Sequence, residues 1–189
     1  MSDIKIISGK FKNLKLHTPA SFEVRPTSVR SRKALFDSLG SFDNLNVIDV
    51  CSGVGTLALE AASRGADKVL CLEKNSLHCE CIVDNFTRSG FSQFSVEKCD
   101  VTKYTKYDIF GADVIFADPP YRDSAQVFAN LAANKSFVKS LNDALLVWEM
   151  PAKLEDFMGF GEVELFSQGT LKIFDNVKFL FIKLNGGLV

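Results

Sequence analysis

The sequence predicts an α/β protein in which a mostly parallel sheet is covered by helices on both faces. From residue 46 onwards, short runs of β-branched and aromatic residues alternate with segments of helical periodicity, which is the pattern of a parallel sheet. Near the C-terminus two runs, 163–166 and 177–184, follow each other without a helix of ordinary length between them. These two runs predict an antiparallel hairpin at one edge of the sheet.

A small hairpin and a helix are predicted to precede this sheet. Residues 4–17 alternate weakly, which predicts the hairpin, and 25–39 predict a helix that ends before Gly40. We therefore expect an N-terminal appendage over 1–40 and the main domain over 41–189. In the main domain, strands are predicted at 47–50, 69–72, 94–99, 114–117 and 144–149, and helices at 56–64, 75–90 and 124–133.

The composition is that of an ordinary globular protein. With 189 residues, 47% hydrophobic and 24% charged, the chain is long enough for one buried core. No apolar run reaches the ~20 residues of a membrane span, and the start lacks the apolar region of a signal peptide, so we expect a cytoplasmic protein, monomeric and without membrane contact. The five cysteines lie in apolar segments without zinc-site spacing, which favours reduced thiols and no metal.

Charge is distributed unevenly along the chain. Residues 1–33 contain eight Lys and Arg but only two Asp and Glu, whereas the remainder is acidic. A basic arm on an acidic body favours contact with a polyanion, with a solvated amphipathic arm as the alternative. Arg32 lies on the apolar arc of the predicted helix, so its head either reaches solvent or points into a site. The candidate polyanion contacts, which would be RNA contacts if the polyanion is RNA, are Lys5, Lys10, Lys12, Lys15, Arg25, Arg30 and Arg32.

A glycine-rich segment connects the first predicted strand of the sheet to the helix that follows. Glycines at such a turn let backbone N–H groups approach a ligand closely. Gly53, Gly55 and Ala58 match the spacing of a dinucleotide fingerprint, and Glu73 follows about 20 residues later, where a ribose-binding acid is expected. Against a nicotinamide cofactor, Asp49 would place a carboxylate beside a pyrophosphate, which like charge disfavours.

A cofactor that is cationic and lacks phosphate suits these acids better, and S-adenosylmethionine has both properties. Asp49 can face its cationic methionine end, and Glu73 can accept hydrogen bonds from the ribose hydroxyls. Asp100 follows the third strand, where it can meet the adenine amine, while Val101 can supply a backbone N–H. Acids at successive strand ends are a more specific signal than the glycine motif, which plain turn chemistry could also explain.

Asp118-Pro119-Pro120-Tyr121 follows the apolar run 114–117 and predicts the carboxyl end of a buried strand, because proline donates no ladder hydrogen bond. A carboxylate and the Pro119 carbonyl that both accept from an exocyclic base amine would stabilise the positive charge that develops as the amine attacks a methyl group. Tyr121 could stack on the unstacked base. A capped strand end with a packed tyrosine is the structural alternative.

These motifs together resemble the RsmD-type methyltransferases. The resemblance rests on Arg25-Pro26-Thr27-Ser28 and the helix after it, the glycine loop, the acids and the proline tetrapeptide. It implies a Rossmann-like, S-adenosylmethionine-dependent methyltransferase fold with a seven-strand sheet and an N-terminal hairpin that helps to hold RNA. It also implies methylation of a guanine N2 amine in 16S ribosomal RNA. The residues implied to hold the cofactor are Asp49, Ser52, Gly53, Gly55, Glu73 and Asp100, and Asp118, Pro119, Pro120 and Tyr121 would hold the base.

Two other functions stay open at the level of sequence. The same tetrapeptide suits other exocyclic amines, so an adenine-N6 methyltransferase that acts on DNA or RNA is the alternative enzyme. A non-catalytic RNA-binding or ribosome-assembly factor with the same fold is the alternative of a different class, although such a protein has no need of an amine acceptor at Asp118. The expected partner is ribosomal RNA or an assembling small ribosomal subunit.

Overall fold

The computed structural model describes residues 4–19, 28–150, 161 and 163–184, and it confirms the α/β fold. Its strands are β1 (Asn46–Val50), β2 (Lys68–Glu73), β3 (Phe94–Lys98), β4 (Val114–Ala117), β5 (Leu145–Met150), β6 (Thr170–Phe174) and β7 (Val177–Ile182). Its helices are α1 (Val29–Leu39), α2 (Thr56–Ser63), α3 (Ser76–Ser89), a 3₁₀ turn (Val101–Lys103), α4 (Tyr107–Phe110), α5 (Tyr121–Ala132), α6 (Lys135–Ser140) and α7 (Glu164–Ser167). No helix in these residues is long and apolar enough to cross a membrane.

The strands form one seven-stranded sheet in the order β3-β2-β1-β4-β5-β7-β6. The first five strands along the chain pair in parallel, and β7 pairs antiparallel with β5 and with β6. The chain moves outward from β1 to β3 and then returns to the other side of β1 with β4. Such a reversal opens a crevice at the carboxyl ends of β1 and β4, where ligands bind in open α/β sheets.

The core is divided between the two faces of the sheet because side chains alternate along each strand. On one face Ile48 and Trp148 pack with α5 and α6. On the other face Val47, Phe116 and Val147 pack with α1, α2 and α3. The acids that follow the same alternation at the ends of β1, β4 and β5 therefore point to the second face, towards α1 and α2.

The N-terminal hairpin packs against this second face. Its strands meet at an antiparallel bridge between Lys5 and Lys15, and Ile6 is buried in the same core cluster as α2 and α3. The Glu60 carboxylate of α2 accepts from the backbone N–H groups of Ile7 and Ser8 at 2.7 and 3.1 Å. The predicted hairpin is confirmed, and it is hydrogen-bonded to the body of the protein.

The C-terminal hairpin differs from the prediction. The run 163–166 is not a strand, because residues from Glu164 form the short helix α7, whose Leu165 packs into the core. The strand that pairs with β7 is β6, which ends at a two-residue turn where Asp175 has a φ of 57°. The antiparallel hairpin at the sheet edge is thus confirmed, but its first strand was predicted at the wrong run, because a short apolar run does not distinguish one helical turn from a strand.

Two helix starts also shifted from their predicted positions. Helix α1 begins after Ser28, whose side chain accepts from the Ser31 N–H, while 25–27 lie outside the described residues. Helix α5 begins at Tyr121 rather than near Ser124, because Pro120 occupies the position before the first turn, where a missing N–H leaves no helical hydrogen bond unmade. This earlier start fixes Tyr121 beside the strand end.

Candidate active site

A cavity of about 450 Å³ opens at the carboxyl edge of the sheet, where the topology predicts a ligand site. The sequence-predicted residues that line it are Asp49, Ser52, Gly53, Glu73, Asp100, Val101, Asp118, Pro119, Pro120 and Tyr121. The acids of the predicted cofactor site and the proline tetrapeptide therefore share one cavity. The lining also includes Arg32, His78 and Glu149.

Asp49 lies near the end of β1 and is almost completely buried. Its Oδ2 accepts from the Ala58 N–H in the first turn of α2 at 3.1 Å. Burial raises the pKa of Asp49 to about 7, with the nearby Glu73 charge adding to the rise and the Ala58 N–H opposing it. An ionised Asp49 without a cation is therefore unfavourable, and a bound ammonium group would stabilise its charge.

The glycine loop after β1 is held by Glu73 from the end of β2. One carboxylate oxygen of Glu73 accepts from the Gly53 N–H and the other from the Asn75 N–H, both at 2.9 Å. Gly55 has a φ of 79°, whereas a Cβ there would make only ordinary contact with Ile82 at 3.4 Å, so the backbone turn rather than packing favours glycine here. Gly55 is the predicted cofactor residue that is not among those lining the cavity.

Asp100 and Val101 follow β3 at the far end of the cavity. The Oδ1 of Asp100 accepts from the Thr102 N–H at 3.1 Å and from its hydroxyl at 2.7 Å. These hydrogen bonds, chiefly the one to the hydroxyl, lower the pKa of Asp100. The Val101 carbonyl accepts from the Tyr107 hydroxyl at 2.7 Å, which holds this turn against the core.

The other side of the cavity is formed by the ends of β4 and β5. Asp118 follows β4, and burial raises its pKa well above the ordinary range, with the charges of Glu149 and Asp49 adding to the rise. Tyr121 starts α5, and its hydroxyl donates to Glu149 Oε1 at 2.8 Å. The aromatic ring and the carboxylate that we predicted to hold a base therefore line the same cavity, together with Glu149.

Glu149 is the residue that sequence reasoning missed. It lies near the end of β5, is 4% exposed and lines the cavity. The signal was present in Glu149-Met150-Pro151, an acid close to a proline after an apolar run, which resembles the pattern used to find Asp118. The same local pattern could therefore have predicted an acid at the end of β5 as well as at the end of β4.

Arg32 does not reach solvent. It is 2% exposed, its Nη2 donates to the Lys5 carbonyl at 2.6 Å, and it lines the cavity. Its Nε is buried and has no hydrogen-bond partner among the described residues. Of the two expectations for this side chain, the one in which its head reaches solvent is therefore wrong, and Arg32 could meet RNA only through a group that enters the cavity.

The other candidate RNA contacts are at the surface of the hairpin and α1. The side chains of Lys5, Lys10, Lys12 and Lys15 are exposed, and Ile4, at the base of the same hairpin, lines the cavity. Arg30 is exposed and lies 3.8 Å from Asp175. Arg25 lies outside the described residues. The exposed lysines thus belong to a hairpin that begins at the cavity wall.

Comparison with known proteins gives consistent matches. The chain is 28% identical over 153 residues to the ribosomal RNA small subunit methyltransferase D of Buchnera aphidicola subsp. Baizongia pistaciae, covering 79% of this chain and 76% of that protein. It is 28% identical over 120 residues to the protein of the same name from Escherichia coli K12, where the match covers 63% of this chain and 61% of the relative.

A solved structure and a family model extend these matches over the chain. A hypothetical protein of Thermus thermophilus superposes with a TM-score of 0.73 at 27% identity, covering 96% of this chain and 99% of that one. The family model described as Conserved hypothetical protein 95 matches residues 4–179, which include the hairpin, the glycine loop and the tetrapeptide. The chain therefore belongs to this family, the RsmD-type methyltransferases that its motifs resemble, and has their Rossmann-like fold.

Proposed function

We propose that this protein transfers the methyl group of S-adenosylmethionine to the exocyclic N2 amine of a guanine in 16S ribosomal RNA, and that it works in the cytoplasm. The observation that carries the proposal is one cavity with a row of cofactor-type acids on one side and Asp118 beside an aromatic ring on the other. The relatives named ribosomal RNA small subunit methyltransferase D support the class of substrate.

The donor set of the cavity fits S-adenosylmethionine. Asp49 would face the ammonium group, Glu73 would accept from the ribose hydroxyls, and Asp100 would accept from the adenine amine, with the Val101 N–H on the adenine ring. When bound, the cofactor supplies a methyl group made electrophilic by a sulfonium. A pyrophosphate suits the same cavity poorly, because the buried carboxylate of Asp49 lies at the start of helix α2, where a phosphate would bind.

Asp118 would prepare the amine for attack. A guanine amine is a weak nucleophile because its lone pair is delocalised into the ring, and acceptors at Asp118 and the Pro119 carbonyl would favour its pyramidal form. The raised pKa of Asp118 also makes its carboxylate a better acceptor for the proton that the amine releases. Tyr121, whose hydroxyl is held by Glu149, would stack on the base and keep the amine aligned.

The hairpin lysines would contact the phosphates of the RNA. Their exposed ammonium groups belong to a hairpin whose base forms part of the cavity wall, so an RNA bound along the hairpin could place one nucleotide in the cavity. Phosphate contacts supply affinity without reading sequence. We propose ribosomal RNA, naked or in an assembling small subunit, as the partner of a monomeric enzyme.

Identification of the methylated nucleoside tests the proposal. Ribosomal RNA from cells that lack the protein would be incubated with the protein and tritiated S-adenosylmethionine, digested to nucleosides and separated. We expect label in N2-methylguanosine from 16S RNA. Label in N6-methyladenosine would replace guanine by adenine as the substrate, and cofactor binding by calorimetry without any label would favour a non-catalytic RNA-binding protein.

A further inference from the structure

Glu149 and Asp118 occupy equivalent positions on neighbouring strands. In the parallel pairing of β4 and β5, Ala117 is opposite Trp148, so the next residues, Asp118 and Glu149, are side by side. Neighbouring strands are ~4.8 Å apart. Both residues follow core residues of the face packed by α1 and α2, and both line the cavity, so the two carboxyl groups lie on one face and share one space.

The two acids interact electrostatically across this pair of strands. Glu149 is 4% exposed, and its charge contributes to the raised pKa of Asp118. The Tyr121 hydroxyl donates to Glu149 Oε1 at 2.8 Å. Two adjacent carboxyl groups that line one cavity, one buried and one half-buried, suit a ligand that presents two adjacent N–H groups.

Guanine presents such a pair on its Watson–Crick edge, where the N2 amine is next to the N1–H. Adenine does not, because its N6 amine is next to a ring nitrogen that accepts hydrogen bonds. A carboxylate opposite that nitrogen would place two acceptors against each other. A flipped base is read by hydrogen bonds to this same edge.

We propose that Glu149 accepts the N1–H of the target guanine while Asp118 accepts from its amine, and that Glu149 thereby selects guanine against bases with an acceptor at N1. This inference rests on the proposed function, since it names the part of the acceptor site that reads the base. It assigns Glu149 a contact with substrate beyond its hydrogen bond with Tyr121.

A substrate analogue tests the inference on the unaltered protein. An RNA with 2,6-diaminopurine in place of the target guanine keeps the N2 amine but has an acceptor at N1. We expect kcat/KM for methylation at N2 to fall by about 10²-fold or more relative to guanine. Equal kcat/KM for the two RNAs would overturn the inference, and no methylation of either RNA would instead show that the proposed function is wrong.

Two variants then assign the selection to Glu149. Glu149→Gln is nearly isosteric, and its amide can donate to the ring nitrogen, so the preference for guanine should shrink at least about tenfold. Tyr121→Phe removes the hydroxyl that bonds Glu149 but leaves the carboxylate, so the preference should persist even if the rate falls. An unchanged preference in Glu149→Gln, or an equal loss in Tyr121→Phe, would show that Glu149 does not read the base. Thermal melting and cofactor titration verify that both variants fold.

Discussion

The two halves of the cavity differ in whether the protein donates hydrogen bonds to their carboxylates. In the half formed by the loops after β1, β2 and β3, each of Asp49, Glu73 and Asp100 accepts a hydrogen bond from a backbone N–H. In the half after β4, no donor among the described residues bonds the Asp118 carboxylate. The first half is therefore organised before any ligand arrives, whereas the Asp118 carboxylate is left for the donor that we propose the substrate supplies.

Asp118→Asn changes the half of the cavity after β4 and should have the largest effect on the rate of methyl transfer. An asparagine cannot take the proton from the amine, so kcat for methyl transfer should fall by about 10²- to 10³-fold, while the cofactor Kd stays within about twofold. Tritium incorporation and calorimetry measure the two quantities, and Asp143→Asn, at an exposed site, is the matched control. Activity close to that of the control would rule out Asp118 as the proton acceptor.

The pH dependence of wild-type kcat complements this variant. Only the carboxylate form of Asp118 accepts a proton, and its pKa is raised above the ordinary range. The rate should therefore increase as the pH rises through that raised pKa, and the acid side of the profile should disappear in the residual activity of Asp118→Asn. An acid limb that persists in the variant would assign the titration to another group.

Asp49→Asn changes the half of the cavity formed by the loops after β1, β2 and β3. It should weaken cofactor binding but stabilise the ligand-free fold at high pH. Loss of the charge that we propose to face the cofactor ammonium should weaken cofactor binding by about 10- to 100-fold. The folded protein retains the Asp49 proton between the unfolded pKa near 4 and the folded value of about 7, so this site stabilises the fold at low pH and loses that stabilisation as pH rises through 7. The ligand-free variant should therefore melt several degrees higher than wild type at pH 8, and the difference should shrink steadily as the pH falls from 7 towards 4.

Asp100→Asn is the matched control for that pH dependence. Hydrogen bonds lower the pKa of Asp100, so its contribution to stability is present above the unfolded pKa and is lost as the pH falls. The substitution should leave the Tm at pH 8 unchanged or slightly lower. A higher Tm for both variants at pH 8 would indicate a general effect of removing negative charge rather than the burial of Asp49.

Gly9→Ala would test how firmly the hairpin is attached to α2, which follows the glycine loop of the organised half. Gly9 has a φ of 80°, and a Cβ there would lie 1.8 Å from the Ser63 carbonyl oxygen, so the hairpin would have to move away from α2. We expect a loss of about 2–4 kcal/mol, seen as a fall in Tm of roughly 5–15 °C. Gly90→Ala, at a similar φ of 75° with nothing within 4 Å, should lose only ~1 kcal/mol. Equal losses would mean that the hairpin is loosely attached.

Replacement of Lys10, Lys12 and Lys15 by alanine should have the smallest effect on cofactor binding and on the chemistry in the cavity. RNA binding should weaken, and the dependence of log K on log salt should flatten by roughly 0.7 for each phosphate that a lysine no longer neutralises, while cofactor affinity is kept. Three exposed lysines elsewhere, Lys68, Lys106 and Lys135, provide the control triple variant. The same salt dependence in both triple variants would show that the hairpin does not bind the phosphates.

The sequence was sufficient for the elements with a strong local signal. The strand before Asp118 was predicted because two prolines end it, and the turn at Gly53 because an acid, glycines and a helix follow one another in a fixed order. In contrast, α7 was mistaken for a strand, since four residues hold too little periodicity for a decision.

The parts of the site that depend on distant residues could not be read in this way. The hydrogen bond between Tyr121 and Glu149 joins residues 28 positions apart, and it exists because β4 and β5 are neighbours. Arg32 is buried because the hairpin covers it and offers the Lys5 carbonyl. Both facts depend on which elements pack together in the fold. A local sequence pattern does not contain that information.

The attachment of the hairpin also has a consequence for how the chain folds. Its backbone is bonded to Glu60 and Ser63, about 52 residues later, and the His17 N–H is bonded to Asn85, 68 residues later. During synthesis these first residues leave the ribosome before any of their partners exist. They can dock only after α2 and α3 have formed, so we expect the hairpin to be among the last segments protected from hydrogen exchange during refolding.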